Sequence, residues 1–347
     1  MTPTRIFVID DSPLFREMLR GIVEADGDIV VVGEAASGEE AIARVASLVP
    51  DLVTVDIEMP GVGGLETIAQ LMMRRPVPIL VLTGQPTGEG SSLAFDAIGR
   101  GALEIASKSS LGDDDGRGVR QLIKQLGTVR VVRHLGPQHH PPVRVTPALR
   151  VPPPRGCFIV GMAASSGGPS AIVEVLGALP PDFPGCVALV QHLPNGFMAP
   201  FERFLAERLE LTVAVVHART LPRPGTLLLP ADDRHLLLAD DGAFVVSDTP
   251  PLGGHRPSAT RLFESLARVE ASRAVGVILS GMGDDGAAGL LALKRTGAET
   301  VAQNEATSAI YGMPRAAVER GAATQVLPLG SIAALLCRLA VERTRPS

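Results

Sequence analysis

The chain has 347 residues, more than one ordinary hydrophobic core supports, so two domains are expected. Its 46% hydrophobic and 20% charged residues exclude a largely disordered protein, and three scattered cysteines fit neither a disulfide framework nor a metal site. The net charge of −5 and the 3% of aromatic residues disfavour nucleic-acid binding, and no apolar stretch is long enough to insert into a membrane.

The first 127 residues alternate short aliphatic strands with amphipathic helices. Strands are predicted over 5–10, 29–35, 51–56 and 78–83, and helices from Pro13, over 38–48 and over 65–73. This alternation predicts a doubly wound α/β domain whose parallel strands are joined by helical crossovers.

The start of the chain, MTPTRIFVIDD, reaches acidic residues too early for a signal peptide, so a reducing, cytoplasmic location is expected.

Acidic residues follow the predicted strands of this first domain. Asp10 and Asp11 end the first strand, Asp56 ends the third and Thr83 ends the fourth, while Lys108 lies further along the chain. Ligands of such sheets bind at the carboxyl ends of the strands, where clustered carboxylates favour a hard cation such as Mg²⁺. A lysine and a hydroxyl there complete a site for a phosphoryl group.

The segments VIDDSP, VDIEMPGVGG and LVLTG, followed by the isolated Lys108, resemble the receiver domain of two-component response regulators over residues 1–127. The resemblance implies a flavodoxin-like fold in which Asp56 accepts a phosphoryl group. It also implies that Asp10 and Asp11, with Asp56, hold Mg²⁺, and that Thr83 and Lys108 sense the phosphoryl group.

Residues 128–155 form a connector of different composition. The segment holds seven prolines and five arginines, with no acidic residue and no helical or strand period. Proline removes backbone donors and favours extended conformations, so a linker between two domains is predicted.

Residues 156–347 again alternate strands and helices, which predicts a second parallel sheet. Strands over 156–161, 185–190 and 274–280 lead into the segments AASSGGP, QHLP and GMGDDG. Parallel strands bring a serine, a histidine and an aspartate to one edge, the arrangement that acyl transfer requires. The serine turn matches neither phosphate-binding glycine motif nor the G-x-S-x-G elbow, so the residues alone leave open a serine hydrolase, a phosphate binder and a structural turn.

The second domain resembles the catalytic domain of the CheB family of chemotaxis receptor methylesterases. The matching segments are AASSGGP, VQHLPNGF, PADDRHLLL, GHRPS, LSGMGDDGAAG and AQNEATSAIYGMPRAA. The resemblance implies a Rossmann-like three-layer hydrolase domain without a cofactor. It makes Ser165 the nucleophile, His192 the general base and Asp285 the residue that orients His192, with the backbone N–H of Met282 in the oxyanion hole.

Four further residues of this domain have expected roles of their own. His255 and Arg256, in GHRPS, are candidates for substrate contact or for a structural role at a helix start. Asp284 is expected to be a solvated or helix-capping neighbour of Asp285. His235, in DDRHLLL, is expected on a strand edge with a structural role.

Together the two resemblances imply a phosphorylation-activated enzyme of chemotactic adaptation. Its expected activities are hydrolysis of glutamate methyl esters on chemoreceptor cytoplasmic domains and deamidation of receptor glutamines. The expected phosphodonor is a histidine kinase of the CheA type. The alternative is a phosphorylation-dependent binding regulator whose hydrolase-like domain only docks partners.

Overall fold

The computed structural model describes residues 2–84, 89–129 and 157–344 of the chain. The chain divides into two compact units, residues 1–136 and 137–347. The predicted connector lies outside the described residues apart from its first two positions, so it stays a prediction. Within the described part of the chain, no helix is long and apolar enough to cross a membrane.

The first unit is a parallel five-stranded sheet with helices between its strands. Its strands are β1 (Thr4–Ile9), β2 (Ile29–Ala35), β3 (Leu52–Asp56), β4 (Ile79–Thr83) and β5 (Glu104–Ser107). Its helices are α1 (Pro13–Val23), α2 (Gly38–Leu48), α3 (Gly64–Arg74), α4 (Glu89–Gly99) and α5 (Arg117–Leu126). The strand order β2-β1-β3-β4-β5 is the flavodoxin-like order, which confirms the fold expected for this domain.

Local sequence explains why these elements begin where they do. Ser12 precedes α1 and its hydroxyl accepts a hydrogen bond from the N–H of Phe15, while Pro13 fits the first turn. Ser37 caps α2 in the same way, by accepting from the N–H of Glu40. The four strands predicted in this unit each lie within one residue of the observed ends. Two of them, β3 and β4, are buried throughout, and strands buried on both faces are near-continuous apolar runs.

The second unit is built on a seven-stranded parallel sheet and a separate hairpin. Its strands are β6 (Phe158–Ala164), β7 (Gly185–Gln191), β8 (Thr212–Val216), β9 (Thr226–Pro230), β10 (His235–Leu238), β11 (Phe244–Ser247), β12 (Ala274–Ile278), β13 (Glu299–Gln303) and β14 (Gln325–Leu327). Its helices are α6 (Gly168–Gly177), α7 (Met198–Ala206), α8 (Ala259–Val269), α9 (Ala287–Arg295), α10 (Met313–Glu319) and α11 (Leu329–Thr344). The large sheet has the order β14-β13-β12-β6-β7-β9-β8, and β10 pairs with β11.

Helices cover both faces of this sheet, which gives the three layers expected. On one face α8 and α9 pack together and bury Leu262, Phe263 and Leu290 against the sheet. On the other, α6 and α11 pack against each other and against β6. The hairpin of β10 and β11 lies along α8, where the hydroxyl of Ser265 accepts a hydrogen bond from the N–H of Leu238 at 2.9 Å.

One strand is longer than predicted. β6 continues to Ala164 because its last three residues stay paired with β7, ending with Ala164 opposite Gln191. The strand therefore runs directly into the serine turn, and Ser165 and His192 are the first residues beyond two paired strand ends.

Candidate active site and acidic pocket

The three predicted catalytic residues lie at the carboxyl ends of neighbouring strands. Ser165 follows β6, His192 follows β7, and Asp285 lies in the loop after β12. β6 pairs with both β7 and β12, so it stands between the strands that carry the other two residues. From β6 the chain continues outward through β7 on one side and returns at β12 on the other. Such a switch point opens a crevice in which ligands bind.

The Asp285 carboxylate is held by four hydrogen bonds. Oδ1 accepts from the hydroxyl of Ser258 at 2.9 Å and from the N–H of Thr260 at 3.0 Å. Oδ2 accepts from the N–H of Ala259 at 2.7 Å and lies 2.9 Å from Nε2 of His192. Three of these donors belong to the first turn of α8 and its cap, so the carboxylate sits at a helix N-terminus, which favours negative charge.

These contacts keep Asp285 ionised although its side chain is buried. Burial alone would raise the pKa of the carboxyl group, but the hydrogen bonds from His192, Thr260 and Ala259 outweigh it and hold the pKa far below its usual range. Asp285 is therefore a fixed anion that faces one side of the imidazole.

The contact with Asp285 fixes the tautomer of His192. A carboxylate only accepts hydrogen bonds, so Nε2 carries the proton in the neutral ring and Nδ1 is the basic nitrogen. Nδ1 is buried and has no hydrogen-bond partner among the described residues.

The imidazole ring of His255 stacks on the ring of His192, with ring centroids 4.3 Å apart and ring planes 8° from parallel. Burial and the neighbouring His192 lower the pKa of His255, which favours the neutral form of this second ring.

The backbone around Ser165 is tied to both neighbouring strand ends. Its N–H donates to the carbonyl of Ser280 beyond β12, at 3.0 Å. The buried amide of Gln191 donates to the carbonyls of Ser165 and His192, at 2.9 and 3.0 Å. A side chain at Gly168 would collide with Gln191, because a Cβ there would lie 2.1 Å from Oε1. The side chain of Ser165 itself is only half-buried.

The segment that carries Met282 packs directly against Ser165. A Cβ added at Gly281 would lie 2.9 Å from Cβ of Ser165, so only glycine permits this approach. The N–H and carbonyl of Gly281 are both bonded to the segment from Ile310 to Met313. Within the described residues, the N–H of Met282 donates to no acceptor, which leaves it available to a ligand.

The remaining predicted residues of this domain have different surroundings. The guanidinium of Arg256 donates to Asp233, at 2.7 Å from Nε and 2.5 Å from Nη2, and forms no hydrogen bond with the three predicted catalytic residues. Its role in substrate contact stays a prediction. Asp284 is exposed and pairs with Arg320 at 2.7 Å. His235 is fully buried and bonded to Ser258.

In the first unit, three carboxylates and Lys108 share one pocket. Asp10 and Asp56 are buried, Asp11 is exposed, and each of the three offers an oxygen within 4.8 Å of the others. The ammonium of Lys108 lies 2.7 Å from Asp10 and 2.6 Å from Asp56. Thr83 is buried at the end of β4, and its hydroxyl has no hydrogen-bond partner among the described residues.

The charges of this pocket fit a hard cation. Burial raises the pKa of Asp10, although hydrogen bonds from Lys108 and from the N–H of Ser12 act against the increase. Burial would lower the pKa of Lys108, but its bonds to Asp10 and Asp56 raise it. Oxygen donors that repel one another and reach a common point are the ligand set that Mg²⁺ prefers.

Two supporting residues were missed by the sequence analysis. Ser258 and Gln191 contact the predicted catalytic residues directly. Helix-cap spacing marks Ser258 as a helix start, but not as a partner of Asp285, and the only sequence signal for Gln191 was its place beside His192. His235 was expected to have a structural role on a strand, and it begins β10, but its contact with Ser258 was not foreseen.

Comparisons with known proteins match both parts of the chain. The sequence model described as CheB methylesterase matches residues 160–336, and the response regulator receiver domain model matches residues 6–116. The protein-glutamate methylesterase/protein-glutamine glutaminase 2 of Anaeromyxobacter dehalogenans is 43% identical, and the alignment covers 95% of each chain. A protein of the same kind from Nitrosospira multiformis is 38% identical over 97% of each chain.

Among solved structures, the crystal structure of the Thermotoga maritima CheB methylesterase catalytic domain matches with a TM-score of 0.51 and 32% identity. The match covers 53% of this chain and 99% of that one. The order of domains, the fold of each and the extent of these matches lead to one conclusion. This chain belongs to the CheB methylesterase family, in the form that carries a receiver domain ahead of the hydrolase domain.

Proposed function

We propose that the protein is a phosphorylation-regulated protein-glutamate methylesterase that also deamidates glutamine. Its substrates would be the cytoplasmic domains of chemoreceptors, and its place of action the cytoplasm. The observation that carries the proposal is the ionised Asp285 bonded to His192, at the sheet edge where Ser165 begins the neighbouring loop. A domain that only docked partners would have no use for an imidazole held in one tautomer.

Acylation begins when Nδ1 of His192 takes the hydroxyl proton of Ser165 and Oγ adds to the carbonyl carbon of the methyl ester. Asp285 stabilises the imidazolium that forms. A general base in position contributes about 10²- to 10⁴-fold to the rate.

The tetrahedral intermediate carries its negative charge on the former carbonyl oxygen. The N–H of Met282, which has no acceptor among the described residues, is the donor that we assign to this oxygen. One such donor contributes about 10²- to 10³-fold.

The intermediate collapses when the carbon–oxygen bond to the methoxy group breaks, and His192 returns its proton so that methanol leaves. Water then attacks the acyl group on Ser165, with His192 again as base, and releases the glutamate carboxylate. A glutamine amide follows the same course with ammonia as the leaving group, which accounts for both activities.

In the receiver domain, Asp56 is the residue that we assign as phosphoryl acceptor. Mg²⁺ held by Asp10, Asp11 and Asp56 would neutralise the charge of the phosphoryl oxygens. Lys108 would exchange its contact with the Asp56 carboxylate for one with the phosphoryl group, and the unpaired hydroxyl of Thr83 would donate to it. The phosphodonor we propose is a histidine kinase of the CheA type.

The test is methanol release from methylated receptor cytoplasmic fragments, measured with and without Mg²⁺ and a small phosphodonor. We expect release that rises with the phosphodonor, loses this rise in Asp56→Asn, and disappears in Ser165→Ala. Ser170→Ala, an exposed serine five residues away, is the matched control and should behave as wild type. Absence of release, together with no labelling of Ser165 by a fluorophosphonate, would favour the binding regulator.

A further inference from the structure

His235 is a fully buried histidine whose two ring nitrogens are both in use. Nδ1 lies 3.1 Å from the backbone N of Ser258, and Nε2 lies 3.3 Å from the carbonyl of Pro250. A backbone N–H only donates and a carbonyl only accepts. Nδ1 must therefore be the acceptor and Nε2 the protonated nitrogen, so the contacts specify one neutral tautomer.

The residue that His235 holds is the cap of α8. The hydroxyl of Ser258 donates to Asp285 Oδ1 at 2.9 Å, and the next two backbone N–H groups donate to the same carboxylate. His235 thus anchors the segment that supplies three of the four hydrogen bonds to Asp285. The anchor itself is rigid, since β10 is paired with β11 and bonded to α8 again through Leu238.

We propose that His235 is a positioning residue for the hydrolase reaction, which acts through Ser258 to hold Asp285 against His192. The proposal rests on the function proposed above, but it concerns the reactivity of Ser165 rather than the identity of the ester. If the anchor is lost, the α8 cap is free to shift, and Asp285 then orients His192 less well. A misplacement of about 1 Å in a catalytic group costs up to about 100-fold in rate.

The same contacts make the anchor sensitive to acid. A proton on Nδ1 would place an N–H against the N–H of Ser258, and the hydrogen bond would be lost. The charged groups that face the ring are Arg256 and Arg261, which disfavour its protonation, and Asp233, which favours it. Burial, the largest influence, lowers the pKa of His235 below that of an ordinary histidine. Activity should therefore show a loss at acidic pH that depends on His235.

Three substitutions separate positioning from simple packing. Asparagine places Oδ1 close to the position of Nδ1, so His235→Asn keeps an acceptor for Ser258 that does not titrate. His235→Gln extends past this position toward Pro250 and lacks the acceptor, and His235→Leu lacks both polar contacts. His217→Asn, at an exposed histidine of the same domain, is the matched control.

The measurement is the rate at which a fluorophosphonate labels Ser165 in the full-length chain, followed over a range of pH, with methanol release in parallel. We expect His235→Gln and His235→Leu to label about 10- to 100-fold more slowly and to lower kcat with little change in KM. We expect His235→Asn to recover most of the rate and to lack the acidic loss of activity that depends on His235. The control should match wild type.

Two results would overturn the proposal: equal losses in all three variants, or an unchanged acidic limb in His235→Asn. The pH profiles of wild type and His235→Asn can be compared even if the glutamine and leucine variants fail to fold. A wild-type chain that is labelled at Ser165 but releases no methanol would instead refute the proposed function and leave the role of His235 intact.

Discussion

Replacement of Asp285 by asparagine tests the central part of the site at nearly constant volume. The four donors around the carboxylate leave no orientation of an amide that satisfies them all. If the amide nitrogen replaces Oδ2, it faces the N–H of Ala259 and donates to Nε2 of His192, which moves the ring proton to Nδ1. If it replaces Oδ1, the N–H of Thr260 loses its acceptor.

The expected losses follow from these two orientations. The wrong tautomer and the missing negative charge should lower kcat by about 10³- to 10⁴-fold, which is about 4 to 5.5 kcal/mol of transition-state stabilisation. One unsatisfied buried N–H should also cost about 1–3 kcal/mol of folding stability. Initial rates of methanol release measure the first effect, and thermal unfolding followed by circular dichroism measures the second.

Asp284→Asn is the matched control, because the exposed carboxylate of Asp284 pairs with Arg320 and forms no hydrogen bond to His192 or to the α8 cap. It should keep kcat close to wild type and change stability little, as exposed ion pairs contribute about 0–1 kcal/mol. A folded Asp285→Asn protein with a rate within tenfold of wild type would refute the reasoning, as would an equal loss in the control.

Three more predictions concern the rest of the machinery. Asp56→Asn should remove the incorporation of labelled phosphate from a small phosphodonor, and incorporation at another residue would contradict the assignment. Gln191→Leu should lower kcat about tenfold by releasing the carbonyls of Ser165 and His192, with unchanged secondary structure in circular dichroism. Folding depresses the pKa of Asp285, so the ionised carboxylate contributes to stability fully above about pH 4, and this contribution is lost as the pH falls toward the folded-state pKa. The difference in melting temperature between wild type and Asp285→Asn should therefore shrink in acid. A difference that stays constant with pH would contradict this prediction.

The sequence analysis predicted seven of the parallel strands and did not predict β5, β8, β9, β13 or β14. The strand predicted over 78–83 matches Ile79–Thr83 within one residue, because all five residues are buried and a strand covered on both faces is a near-continuous aliphatic run. The hairpin strands β10 and β11 also contain short apolar runs, but their position along α8 depends on contacts such as Leu238 with Ser265. Local patterns carry no information on contacts between residues 27 positions apart.

The candidate site shows the same difference between local sequence patterns and contacts between distant residues. Ser165, His192 and Asp285 could be predicted as neighbours because each lies in a loop after a predicted strand and the ends of neighbouring parallel strands converge, whereas their proposed roles came from the family resemblance. Ser258 and His235 contribute through hydrogen bonds across 27 and 23 positions, and their own neighbourhoods look like an ordinary helix cap and an ordinary strand. A supporting residue of this kind becomes visible only when the fold brings it to the site.

The fold determines which ring nitrogen of His192 contacts Asp285, and the sequence alone does not specify this. In the serine protease arrangement Nδ1 faces the aspartate and Nε2 faces the serine, whereas here Nε2 contacts Asp285. The strand order accounts for the reversal. His192 and Ser165 each follow one member of a residue pair on adjacent strands, which lie about 4.8 Å apart. The nitrogen nearer the main chain, Nδ1, is therefore the one that we assign to Ser165. Asp285 follows β12, on the far side of β6, and only the outer nitrogen of the ring extends that far.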